Sequence, residues 1–137
     1  MQATRQFEQA LARDPAAPGE ARRALTKWIG TELDSDALYQ AKLMASELVT
    51  NAVLHGQGRI VLRGSLDEDR LLVEVIDEGT GFEREVRRSE FEDVGGRGLA
   101  IVESQSSRWG IHEGTTHVWF ELERGGPRLG EESKPEP

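Results

Sequence analysis

Arg59-Ile60-Val61-Leu62-Arg63-Gly64 and Leu71-Leu72-Val73-Glu74-Val75-Ile76 are two apolar, β-branched runs with Asp67-Glu68-Asp69 between them. Runs of this kind are strands, and the acidic turn joins them as a hairpin. Further along, Ser107 to Ile111 and Thr116 to Leu122 predict a second hairpin that turns at Glu113-Gly114. The helices lie elsewhere. Ala21-Arg22-Arg23-Ala24-Leu25-Thr26-Lys27-Trp28-Ile29 predicts an amphipathic helix that is led in by Gly19-Glu20 and ends near Gly30. Asp34-Ser35-Asp36 is an N-cap cluster. After it, Leu38, Ala41, Leu43, Ala45, Leu48, Val49 and Ala52 recur at helical spacing to about His55, where Gly56-Gln57-Gly58 stops the helix. A third helix is expected from Gly98 to about Ser106. Strands in adjacent pairs, with helices gathered apart from them, predict an α+β two-layer sandwich and not a doubly wound sheet. The expected sheet is mixed and mostly antiparallel, with the helices on one face.

The rest of the chain is less regular. In residues 4–12, Phe7, Ala10 and Leu11 suit a helix, while Phe7, Gln9 and Leu11 would line a strand. Pro15 and Pro18 punctuate the stretch before the first predicted helix. Residues 82–95 are charged and without period, and read as a mobile loop. The last dozen residues, rich in Gly, Pro and Glu, read as a disordered tail. At 137 residues the expectation is one domain over residues 1–123, with 124–137 as the tail.

Composition narrows the function. The formal net charge of −8 argues against general nucleic-acid binding, which needs clustered Lys and Arg, and suits a basic protein partner. With no cysteine, disulfides, thiolate metal sites and a Cys nucleophile are excluded. No apolar run approaches the roughly 20 residues of a membrane span. The start of the sequence lacks the apolar core of a signal peptide, so the expected location is the cytoplasm, with no membrane contact.

Three segments carry chemistry. In Glu47-Leu48-Val49-Thr50-Asn51-Ala52-Val53-Leu54-His55, Glu47 and Asn51 lie four apart on one helical face at the rim of the core. An Asn carbonyl oxygen suits Mg²⁺, and a Glu one turn away can take a proton from a hydroxyl or water. Such a pair also occurs on any solvated helix face. In Asp77-Glu78-Gly79-Thr80-Gly81-Phe82, Asp77 ends a buried strand. Its carboxylate can accept a hydrogen bond from the exocyclic amine of adenine, and glycines let backbone approach a flat ring. A plain turn after a strand has the same residues. Gly95-Gly96-Arg97-Gly98-Leu99 leads into a helix, where free N–H groups and the dipole bind anions, although glycines also serve as a hinge. It is neither a Walker loop nor the dinucleotide fingerprint.

The order and spacing of the three segments are more specific than any one of them. Together they resemble the GHKL (Bergerat-fold) ATPases, which include histidine-kinase catalytic domains, gyrase and Hsp90. Residues 47–55 are similar to the family's N box, 77–81 to its D-x-G-x-G box and 95–98 to the glycine box of the lid. The short lid, together with Ser107-Arg108-Trp109-Gly110 and Val118-Trp119-Phe120-Glu121-Leu122, resembles one branch in particular. That branch is the small bacterial anti-sigma-factor serine/threonine kinases, especially those of actinobacteria.

The resemblance covers about residues 5–123 and implies a strand for the ambiguous N-terminal segment. It implies ATP and Mg²⁺ as ligands, with Asn51 on the metal, Glu47 as general base and Asp77 reading the adenine amine. Gly79 and Gly81 would flank the base, and Gly96, Arg97, Gly98 and Leu99 would lie along the phosphates. Thr116, with Thr115 as the other choice, would assist at adenine. Many relatives carry a basic residue before the N-box His, where this chain has Leu54. Trp109 and Trp119 read as core or sheet packing in preference to a base-stacking platform. The implied partners are a sigma factor, clasped by a homodimer, and a STAS-type anti-anti-sigma antagonist whose serine is phosphorylated. A nucleotide-responsive partner-switch module with little kinase activity uses the same site. A detached histidine-kinase catalytic domain ranks third, because the chain has no phospho-acceptor helical hairpin.

Overall fold

The computed structural model describes residues 5–79, 96–112 and 117–124, with the backbone alone for residues 96–98. Five strands and three helices follow in the order β1 (Arg5–Leu11), α1 (Ala17–Ile29), α2 (Ser35–His55), β2 (Ile60–Leu66), β3 (Arg70–Ile76), α3 (Gly96–Gln105), β4 (Arg108–Ile111) and β5 (Val118–Glu123). The N-terminal segment is a strand. The strands of both expected hairpins pair, the turn expected at Glu113-Gly114 lies outside the described residues, and the sheet order is β1-β2-β3-β5-β4. Every pairing among the described strands is antiparallel. The fold is an α+β sandwich, as the paired strands require.

Strand alternation sorts the side chains into two faces. Val73 and Val75 are buried, as are their partners Phe120 and Val118 on β5 and Leu62 on β2. These residues meet Leu25 and Ile29 of α1 and Met44, Leu48 and Val49 of α2 in one core. α2 packs between α1 and α3 and reaches β2, β3 and β5. Gly64 interrupts β2 where Trp28 of α1 needs room, since a Cβ there would lie 2.8 Å from the indole Cη2. Trp28 in turn stacks on Phe7 of β1, with ring centroids 5.1 Å apart.

Helix ends refine the sequence reading. α1 begins at Ala17, earlier than expected, with Pro18 inside its first turn. A proline there forfeits an N–H that has no helical partner anyway. α3 likewise begins at Gly96, two residues early. Asp34 caps α2 as expected, its side chain accepting from the Ala37 amide at 2.8 Å. Gly56 ends α2 in extended backbone, and the left-handed residue is Gly58, at φ 69°.

The β2–β3 turn is held by Asp67, whose carboxylate accepts from the Asp69 and Arg70 amides at 2.8 and 2.9 Å. Those two amides, led by that of Arg70, hold the Asp67 carboxyl below the ordinary aspartate value. Arg124, the first residue of the expected tail, donates to the carbonyls of Asp67 and Glu32. Residues 125–137 lie outside the described residues, as does the expected loop over residues 82–95. No described helix is long and apolar enough to cross a membrane.

Trp109 lies on the helix-covered face of the sheet, partly buried against the core. Trp119 lies on the opposite face, over Gly110 of β4, where an added Cβ would meet its ring at 2.9 Å. Both tryptophans pack within the fold, in agreement with the sequence reading.

Candidate functional site

The site is built around the C-terminal half of α2. Its buried stripe of Met44, Ala45, Leu48, Val49 and Ala52 fixes the helix rotation. That rotation leaves Glu47 and Asn51 half-buried at the edge of the core. Asn51 Nδ2 is buried and has no hydrogen-bond partner among the described residues. Buried polar groups are nearly always satisfied, so an amide kept in this state is poised for a ligand. Rotation of the amide by half a turn would offer its oxygen at the same place.

β3 delivers Asp77 to the end of the same helix. The carboxylate packs directly against Gly56, and a Cβ on Gly56 would lie 2.7 Å from Asp77 Cγ and 2.7 Å from the Ala52 carbonyl oxygen. The Gly79 amide donates to Asp77 Oδ1 at 2.7 Å, which locks the carboxylate in an Asx turn. One residue on, the Glu78 amide donates to the Gln57 carbonyl at 2.8 Å. The backbone after β3 is therefore tied to the backbone after α2.

α3 brings the third segment in. Its first turn is Gly96, Arg97 and Gly98, and the helix packs against α2. Leu99 is half-buried and rests on the core. Gly81 and Thr116, with the alternative Thr115, lie outside the described residues, as does the Arg97 side chain. Leu54, beside His55 at the end of α2, is 61% exposed.

Arg13 had no sequence signal. From the segment after β1 its guanidinium donates to the carbonyls of Ala52 (2.6 Å), Val53 (2.8 Å) and Gly58 (3.1 Å). These carbonyls lie at the C-terminal end of α2 and in the turn beyond it, where a cation is favoured; that of Ala52 also accepts from the Gly56 amide. Gly56 and Gly58 are more than a helix stop: Gly56 seats Asp77, and Gly58 makes room for Glu78. The second glycine was the readable hint, because ending a helix needs only one.

A family model described as a histidine kinase-like ATPase domain matches residues 11–122. The chain belongs to this family. The resemblance to the GHKL ATPases is thereby borne out, and the ATPase domain covers all of α1 to β4 and most of β5. Among curated relatives, proteins named serine-protein kinase RsbW from Listeria innocua and from strains of Listeria monocytogenes are 34% identical over 85 residues. The match covers 50% of this chain and 54% of each relative. The chain thus spans about half the length of the curated relatives it matches. These relatives bear out the likeness to the serine-kinase branch.

Proposed function

We propose that this ATPase domain binds ATP with Mg²⁺ and is a protein serine kinase of the anti-sigma-factor type. In this reading it phosphorylates a serine of a STAS-type anti-anti-sigma antagonist. As a homodimer in the cytoplasm, it also holds a sigma factor out of use. The observation that carries the reading is the seating of Asp77 on Gly56, at the end of the helix that bears Glu47 and Asn51. The residue proposed to read adenine thereby lies at the end of the helix that carries those proposed to handle the phosphates. The serine-kinase name of the relatives supports the choice of acceptor.

The residues present fit the ligands. The buried Asn51 amide has an atom without a partner among the described residues, and a hard oxygen ligand at the core rim suits Mg²⁺. Asn51 would hold the metal, which when bound supplies charge neutralisation for the phosphates. Asp77, held still by the Gly79 amide, would accept the hydrogen bond of the adenine amine, and Gly79, with Gly81 outside the described residues, would leave room for the ring. The backbone N–H groups of Gly96, Arg97 and Gly98, at the start of α3, would hold the phosphates, with Leu99 anchoring that turn on the core. Thr116, outside the described residues, would add a hydroxyl at adenine. Glu47 takes the proton of the acceptor serine hydroxyl.

The test is incubation of the full chain with ATP, Mg²⁺ and a candidate antagonist encoded beside it, read by mass spectrometry of the antagonist. Phosphoserine is the expected product. Tight ATP binding with no phosphoserine would sink the kinase reading and leave the partner-switch module. Transfer to histidine would revive the histidine-kinase reading. Glu47→Ala should abolish transfer and spare ATP binding; full transfer by that variant refutes Glu47 as base.

A further inference from the structure

The face of the sheet away from the helices carries a cluster that the nucleotide site does not use. Val73 and Val75 are buried beneath the helices, so Glu74 between them points outward. On β5 the buried Val118 pairs with Val75, and the residue before it, His117, also points outward. Ile111 of β4 pairs with Val118, and the next residue, His112, donates its amide to the His117 carbonyl at 2.9 Å. Strand register thus gathers two of the chain's three histidines around one carboxylate.

The geometry is compact. His117 Nε2 lies 2.9 Å from Glu74 Oε2, and the two imidazoles stack with centroids 4.1 Å apart. One ligand atom from each of the three residues lies within 4.8 Å of the others. Ligands ~2.1 Å from one zinc ion stand ~3.0–3.5 Å apart, so the Glu74–His117 pair already has nearly that spacing. Rotation of the exposed His112 ring closes the rest. The His117 and Glu74 side chains are only 16% and 15% exposed, which limits competition from water. An ordinary ion pair needs one histidine; the second, stacked imidazole adds a lone pair, not a counter-charge. Arg63, 3.5 Å from Glu74 Oε1, has a second carboxylate in Glu8 at 3.4 Å and can yield Glu74 to a cation.

We propose that Glu74, His112 and His117 form a Zn²⁺ site on the outer face of the sheet, with a fourth position open to water. Two imidazoles and a carboxylate select zinc over Mg²⁺, which takes oxygen ligands. The ion would tie β3 to both strands of the β4–β5 hairpin. This site stands apart from the nucleotide reading.

Calorimetric titration of Zn²⁺ alone into the chelator-stripped full chain tests it. One ion per chain at micromolar affinity or tighter is expected, with a rise in Tm that equal Mg²⁺ does not give. His112→Gln changes an exposed side chain and spares the core, so the variant remains folded. It should weaken Zn²⁺ binding at least tenfold, on the order of the loss seen when metal-site partners are removed. Glu74→Gln should do the same, whereas His55→Gln, at the remaining histidine, should leave binding unchanged. The proposal is overturned by no uptake, by uptake that survives His112→Gln, or by loss in His55→Gln alone.

Discussion

Gly56→Ala is the sharpest perturbation of the candidate site, because the new methyl group has nowhere to go. It would stand 2.7 Å from the Ala52 carbonyl oxygen and 2.7 Å from Asp77 Cγ, against about 3.5–4.0 Å for comfortable contact. The carbonyl belongs to helical backbone also held by Arg13, so Asp77 must move. Small-to-large changes in packed sites cost about 1–3 kcal/mol. At roughly 3–4 °C per kcal/mol for a domain of this size, Tm should fall by about 3–12 °C. The functional loss should be larger than this suggests. A displaced carboxylate gives up a charge-assisted hydrogen bond to adenine, worth about 1.5–3 kcal/mol, or roughly 10–150-fold in ATP affinity.

The assay is a titration with ATP and Mg²⁺, alongside a thermal melt, for Gly56→Ala, Gly58→Ala, Asp77→Ala and the double variant Gly56→Ala/Asp77→Ala. Gly58→Ala is the control. Its φ of 69° makes alanine costly, by about 1–2 kcal/mol. The atoms nearest its methyl group, however, belong to the side chain of the exposed Glu78, so ATP affinity should hold within a few-fold. If Gly56 acts through Asp77, the double variant binds no more weakly than Asp77→Ala, a non-additivity expected of residues in contact. Wild-type ATP affinity in a folded Gly56→Ala protein would refute the seat. Equal losses in Gly56→Ala and Gly58→Ala would refute it too.

Asn51→Ala should weaken ATP binding at least tenfold when Mg²⁺ is present and leave metal-free ATP binding unchanged. Its stability should shift by no more than about 1 kcal/mol, because the lost packing is offset by removal of a buried amide atom that lacks a partner among the described residues. Arg13→Ala strips three charge-assisted bonds from the end of α2 and should cost about 2–4 kcal/mol in denaturant unfolding. Arg13→Lys should recover less than half of that, since one ammonium cannot span three carbonyls. Asp67 tests pH linkage. Its folded carboxyl is held low by the Arg70 and Asp69 amides, so the unfolded chain binds the proton first and stability falls with falling pH. The stability gap between wild type and Asp67→Asn should be full above about pH 4 and should shrink as pH falls through the lowered folded value. A gap that persists or widens in acid overturns that assignment.

The sequence alone carried the fold a long way, and the reasons are local. Period-two and helical apolar patterns report which side of an element is buried. β2, β3 and α2 stand where those patterns place them, and Asp34 caps α2 because an Asx side chain can satisfy an orphan N–H within three residues. The ambiguity at Phe7 to Leu11 is physical as well, since a short edge strand has too few residues to separate the two periods. Prolines misled at α1 because Pro18 is equally at home before a helix and in its first turn. The three segments that resemble the N box, the D-x-G-x-G box and the glycine box were legible as an ordered set, and that order led to the ATPase family.

What only the tertiary structure decided is which distant residues meet. Asp77 and Gly56 are joined because an antiparallel β3 runs back to the end of α2, a pairing that no local window contains. Arg13 reaches three carbonyls some 40 residues away in sequence, and an isolated arginine after a strand has no pattern to betray it. The Glu74–His112–His117 cluster depends on the register of three strands, where a one-residue slip would send every side chain to the other face. Sequence periodicity reports burial one element at a time, and contact between elements is set by their packing.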